Sequence, residues 1–244
     1  MKSIVSVCFI VLITPLLVEA ANVRAIINQA RATVGSEKVL DEAVTLKMSG
    51  WIEPAESKVP SAKILIISRR PCSQRLEVRV DDLVETTLLN GEDGCIIRSN
   101  LNDSLQRSQI RPMTNEETQR AAFSTRQLFS FYEPDFKRGE QVTHQGIEQR
   151  RGVRCHRLLY SYPDGISTTR FFAVNDDMLI STVTDKGIES VELGEQVVQG
   201  IKFPKRVEYY EGDTMLHTVV IREIEVNKPL PRGIFTIPTG QKVK

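Results

Sequence analysis

The chain is poor in the residues from which active sites are commonly assembled. Its 244 residues hold four cysteines, three histidines and one tryptophan. It has no Gly-x-Ser-x-Gly elbow, no His-Glu-x-x-His pair, no glycine-rich phosphate loop and no dinucleotide fingerprint. The paired acids Asp81-Asp82 and Asp176-Asp177 sit in tight-turn sequence, where aspartate is favoured for bonding its own backbone. An enzyme is therefore not expected. Charge of one sign is also lacking: 32 Lys and Arg stand against 31 Asp and Glu. The pI is near 7.7, whereas a nucleic-acid-binding domain gathers cations on one face and rises above about 9. The short groups Arg69-Arg70 and Arg150-Arg151 read as solvated strand or turn positions, so no nucleic-acid partner is expected.

One apolar run stands out, and it lies at the start. Lys2 provides a cationic n-region, Ile4 to Leu12 is almost unbroken in apolar residues, and Val18-Glu19-Ala20 places small residues where signal peptidase reads them. Thr14, Pro15 and Glu19 interrupt the run before it reaches the ~20 apolar residues that a membrane span needs. Residues 1–20 are thus expected to be a cleaved signal peptide, with Ala21 the mature N-terminus and residues 21–244 one domain. Cleavage removes Lys2 and Glu19 and leaves the formal charge at +1. Cys8 lies inside the run rather than at its end, which argues against lipid attachment there. No later segment is apolar enough to cross a bilayer, so a soluble exported product is expected.

Export leaves Cys72, Cys95 and Cys155, which permit one disulfide and one free thiol. Cys72 with Cys95 is the pair to test first, because both stand at ends of neighbouring strand candidates. His144, His156 and His217 are dispersed and lie near no Cys-x-x-Cys pair. Neither a metal site nor a cofactor is expected.

The apolar residues Val23, Ile26, Ile27, Ala30 and Val34 recur at helical spacing and end at Gly35. Val44, Leu46 and Met48 then alternate with polar residues up to Gly50-Trp51, as in a half-buried strand. Strand candidates follow at Lys63 to Ser68, Leu76 to Val80, Val84 to Leu89 and Cys95 to Arg98, with short links that imply an antiparallel meander. Thr114-Asn115-Glu116-Glu117 fits a capping box that opens a helix with Ala121, Ala122, Phe123, Leu128 and Phe131 on its apolar face, ending before Pro134. Strands resume at Val153 to Tyr160, Thr168 to Val174, Met178 to Val183, Glu195 to Val198, Phe203 to Tyr210 and Met215 to Val226. The fold class is therefore mainly β with helices (α+β). A curved antiparallel sheet of many hairpins tends towards a barrel or cup, and two amphipathic helices must bury their apolar faces, most simply on its concave side. Alternation places Val44, Leu46, Met48, Leu76, Val78, Val80 and Leu88 on that side with Phe123 and Phe131, as lining of an apolar cup or as filling of a core.

In this order the motifs resemble those of the LolA-like periplasmic proteins, the lipoprotein-localisation carrier superfamily, and particularly its broader branch. The residues that carry the resemblance are Met48-Ser49-Gly50-Trp51, the Arg70-Pro71 turn, Leu89-Asn90-Gly91-Glu92-Asp93-Gly94, the Gly-started strands at Gly152 and Gly200, and the tail with Asn227 and Phe235-Thr236-Ile237-Pro238-Thr239-Gly240. The chain departs from the compact carriers in extra strand-forming sequence between Gly187 and Gly212. The resemblance implies an unclosed antiparallel β-barrel lidded by helices, a soluble periplasmic location, and an apolar interior for the acyl chains of lipids or lipidated proteins. It also implies that Arg70, just before the proline, reaches across the cup to backbone carbonyls of the lid and holds the empty form closed. By residues alone, a surface arginine beside a turn remains the alternative. A scaffold or sensor domain with a filled core, which binds an envelope protein through a sheet edge, remains the alternative to a carrier.

Overall fold

The computed structural model describes residues 14–105 and 107–238. Lys2, the run Ile4 to Leu12, Cys8 and the final Thr239-Gly240 of the tail motif lie outside the described residues. The first meander comprises β1 Thr45–Pro54, β2 Ala62–Arg69, β3 Ser73–Val80, β4 Leu83–Asn90, β5 Asp93–Asn100 and β6 Ser108–Pro112. The second comprises β7 Gln141–Arg150, β8 Val153–Ser161, β9 Ser167–Ala173, β10 Leu179–Thr184, β11 Ile188–Val198, β12 Ile201–Glu211 and β13 Thr214–Val226. Three helices accompany them: α1 Thr14–Val34, α2 Glu37–Glu42 and α3 Asn115–Ser130.

Pairing of β1 with β13 fuses both meanders into one antiparallel sheet of order β6-β5-β4-β3-β2-β1-β13-β12-β11-β10-β9-β8-β7. Strands β6 and β7 are left as its two edges, so the sheet is not closed. The segment that joins these edges contains α3, so the chain itself places a helix across the opening. Among the described residues no helix is long and apolar enough to cross a membrane.

Local chemistry explains the helix ends. Thr114 accepts a hydrogen bond from the Glu117 N–H at 3.2 Å, and Glu117 accepts one from the Thr114 N–H at 2.8 Å, which completes the capping box. Arg111 of β6 grips the same carboxylate at 2.7 and 2.8 Å and brings its pKa down to about 2. This fork fixes the start of α3 to the edge strand. Val23, Ile26, Ile27 and Ala30 of α1 are buried against Leu158, Tyr160 and Phe172; each fully buried large aliphatic contributes about 1.5–3 kcal/mol. A second cluster joins Leu40 of α2 and Phe129 of α3 to Leu46, Met48, Ile201, Phe203, Ile224 and Val226.

The face that carries the helices is the inner one, and register assigns residues to it. Met48 pairs with Ile66, Ile66 with Leu76, and Ile64 with Val78, so Leu76 and Val78 share the face of Met48, and alternation brings Val80 with them. Leu88 does not follow. The turn of Asp81 and Asp82 pairs Val80 with Leu83, so even-numbered residues of β3 face odd-numbered ones of β4, and Leu88 stands beside Arg75 and Ile67 on the opposite face. Parity set by a hairpin is invisible to a strand-by-strand count of alternation. Val44 is also displaced: it precedes β1 and is 48% exposed.

The expected Cys72–Cys95 pairing fails on topology. Cys72 accepts the Gly91 N–H at the end of β4, whereas Cys95 pairs with Leu88 on the far side of that strand. Two strand spacings are roughly 9–10 Å, beyond the ~7 Å that a disulfide spans. All three thiols are free, and burial pushes each upward in pKa. Arg150, which ends β7, and Arg151, in the exposed turn that follows, are more than solvated positions: they hold the buried Glu189 of β11 at 2.8 and 3.0 Å.

Candidate functional site

The two core clusters do not meet, and between them lies a cavity of about 680 Å³. Leu46, Met48, Ile64 and Ile66 form one wall from β1 and β2, and Phe203, Val219, Val220 and Ile221 form another from β12 and β13. Phe123 and Leu128 of α3, with Phe131 at its C-terminal cap, roof it. Of the residues expected from sequence, Leu46, Met48, Phe123 and Phe131 are thus brought together. Leu76, Val78 and Val80 share the face but lie outside the cavity lining, while Val44 and Leu88 are not part of the cup.

The roof is tied down by side chains. Arg70 donates from Nη2 to the Phe129 carbonyl at 2.8 Å and to the Leu40 carbonyl at 3.2 Å, and from Nη1 to the Asp41 carbonyl at 3.4 Å. Its guanidinium stands 5.4 Å from the Phe129 ring centroid. Burial lowers its pKa, against the pull of Asp41. One half-buried cation therefore caps the ends of α2 and α3 together.

Arg31 performs a similar service from α1. Its Nη1 donates to the carbonyls of Ser130 at 2.8 Å and Phe131 at 3.1 Å, and its Nη2 meets Glu37 at 3.1 Å. Asp41 and Glu133 lie within 3.6 and 3.7 Å, and the side chain is only 3% exposed. Sequence reasoning missed this residue, because a basic group in the last turn of a helix signals only its own carbonyls and dipole. The segment that it holds is strained: Phe131 and Tyr132 follow each other at φ 43° and 72°, a region costly for bulky residues. Tyr160 donates to the Tyr132 carbonyl at 3.1 Å and adds a third tie.

Polar side chains also line the cavity, among them Arg170, Gln127, Ser190, Glu192 and Tyr209, together with Glu195 and Lys202, which pair at 3.2 Å. The surrounding protein pushes the Glu192 carboxyl up, with the Arg170 charge opposing it, although the residue is open to the solvent of the cavity. Tyr160, packed against Arg170, is pushed up to about 12 by burial. Outside the cavity, His144 and His156 come together on β7 and β8 with Nε2 and Nδ1 3.2 Å apart. Among the described residues no group of three or more His, Cys, Asp or Glu is placed to hold a metal.

No family model matches the sequence, and no curated protein matches it. Solved structures do match its fold. The chain is similar to a DUF1329 family protein from Desulfovibrio piger, with TM-score 0.56, 11% identity, and 87% of this chain and 96% of that one covered. It is similar to a LolA superfamily protein from Nitrosomonas europaea, with TM-score 0.54, 11% identity, and 88% and 97% coverage. A third likeness is to a domain from Vibrio parahaemolyticus described as an outer membrane lipoprotein-sorting protein, with TM-score 0.52, 11% identity, and 86% and 94% coverage. At these identities the likeness is one of fold, and the LolA-like resemblance of the sequence stands at that level.

Proposed function

We propose that this protein is a periplasmic carrier that holds an acyl chain of a lipid or lipidated protein in the cavity beneath α3. In this reading residues 1–20 are removed on export, residues 21–244 act as one soluble domain, and an envelope protein delivers or accepts the cargo. The observation that carries the reading is an apolar cavity roofed by a helix whose C-terminus is strained and held by arginine side chains. A volume of about 680 Å³ lies within the range of small-molecule sites, roughly 300–1,000 Å³. A filled core would need no such void, since interiors pack to crystal-like density. The fold likeness to a domain described as lipoprotein-sorting points the same way.

Arg70 is the lid-closing residue in this proposal. Replacing it by leucine removes three donors from the ends of α2 and α3, and a net loss of about 1 kcal/mol from the closed form multiplies the open population about fivefold. An apolar fluorophore such as N-phenyl-1-naphthylamine should therefore bind Arg70→Leu several-fold faster than the parent, with a melting temperature lower by only a few degrees. Equal association rates and affinities in parent and variant would remove Arg70 from the mechanism.

A further inference from the structure

Two charged groups interrupt the apolar part of the cavity wall: Glu195 paired with Lys202 at 3.2 Å, and a row that begins at Arg170. Arg170 of β9 pairs with Thr182 of β10, Thr182 with Ser190 of β11, and Ser190 with Tyr209 of β12, so a polar row crosses the inner face. Glu192 follows Ser190 by two positions and projects from the same face into the cavity. Arg170 is already engaged: its Nη2 donates to Gln127 Oε1 at 2.5 Å, and its guanidinium lies 4.3 Å from the Tyr160 ring centroid and 5.3 Å from that of Tyr132. Glu192 has no such commitment. Among the described residues no hydrogen bond bears on its carboxyl, the residue is open to solvent in the cavity, and the Arg170 charge reaches it only through space. It also lies near Tyr132 and Tyr209, whose phenols are held up first by burial and then by its charge.

A carboxylate facing an apolar space without a partner is a selective group. Water in the cavity solvates it while the site is empty, and a cargo that expels this water must replace those hydrogen bonds or leave the charge bare. An ammonium donates three hydrogen bonds and brings the opposite charge. A carboxylate head gives neither and is repelled by Glu192, while the Arg170 guanidinium that would attract it is covered by Gln127, Tyr132 and Tyr160. We propose that Glu192 selects the polar head of the cavity's ligand, admitting acyl amphiphiles that carry a primary ammonium and rejecting those that carry a carboxylate. This rests on the carrier reading, and names the chemistry of its cargo.

The test is displacement of a bound apolar fluorophore from the mature protein at pH 7 by three ligands of one chain length: dodecylamine, dodecanoate and monododecanoylglycerol. Dodecylamine should displace at a concentration about tenfold lower than dodecanoate, with the uncharged ester between them. In Glu192→Gln the amine and the carboxylate should become nearly equal while the ester is unchanged. Displacement by the ester without preference for the amine, or a preference that survives in Glu192→Gln, overturns the proposal and leaves the carrier reading standing. No displacement by any of the three overturns both.

Discussion

Arg31→Met is expected to destabilise the protein by about 3 kcal/mol, the lower end of what breaking a buried charged hydrogen-bond network costs. The side chain is 3% exposed and satisfies the carbonyls of Ser130 and Phe131 at the end of α3. Its acidic neighbours Glu37 and Asp41 are largely exposed and can return to water, which keeps the loss from being larger. The two carbonyls are part-buried and lose their charged donor, and a buried group left unpaired costs about 1–3 kcal/mol. Phe131 and Tyr132 would also relax from their left-handed conformations once unclamped. Arg24 supplies the control: it is 60% exposed and stands 3.7 Å from Glu133, so Arg24→Met should cost less than about 0.5 kcal/mol. Urea denaturation of both variants measures the difference. A loss under about 1 kcal/mol for Arg31→Met would mean that the α3 terminus is held by packing alone.

Gly50→Ala is expected to cost about as much, about 3 kcal/mol, by a different route. A Cβ at Gly50 would lie 1.9 Å from the Val220 carbonyl oxygen and 3.0 Å from its carbon, both backbone atoms that no rotamer change can move. The crowding arises where β1 and β13 slip register, Ser49 facing Glu223 while Gly50 faces Ile221. Strand β1 forms the central seam that joins the two meanders, so separating it from β13 there opens the sheet and the cavity wall together. Gly91 makes the contrast. It holds φ 67° in a turn with nothing near its missing Cβ, and Gly91→Ala should cost only about 1 kcal/mol of backbone strain. Denaturation midpoints no lower for Gly50→Ala than for Gly91→Ala would contradict the close approach.

Much of this architecture was legible because it repeats in short windows. The face of α1, the capping box of α3 and the alternation in β3 and β13 each declare themselves within a dozen residues. Strands β6 and β7 do not. Ser108–Pro112 is exposed throughout, and Gln141–Arg150 has only Val142 and Ile147 as large apolar side chains, so the edges lack the pattern that burial imprints. The opening half of β11 was overlooked as well, since Glu189 and Glu192 interrupt its apolar residues for reasons that lie in other strands. Gly50 read as the end of a strand, yet β1 continues to Pro54, because the glycine serves a close contact rather than a stop. The candidate site divides in the same way. Leu46 and Met48 followed from alternation, whereas Leu88 changed faces through hairpin parity, and Arg31 acquired its role from a helix 99 residues away in sequence.

Native mass spectrometry of the protein purified from its own cell envelope tests the central claim most directly. The account predicts a chain that begins at Ala21 and carries a noncovalent acyl-bearing species, one site per chain, released by organic solvent and identifiable by its fragments. A bare chain at every charge state, from preparations gentle enough to keep other envelope carriers loaded, would contradict it.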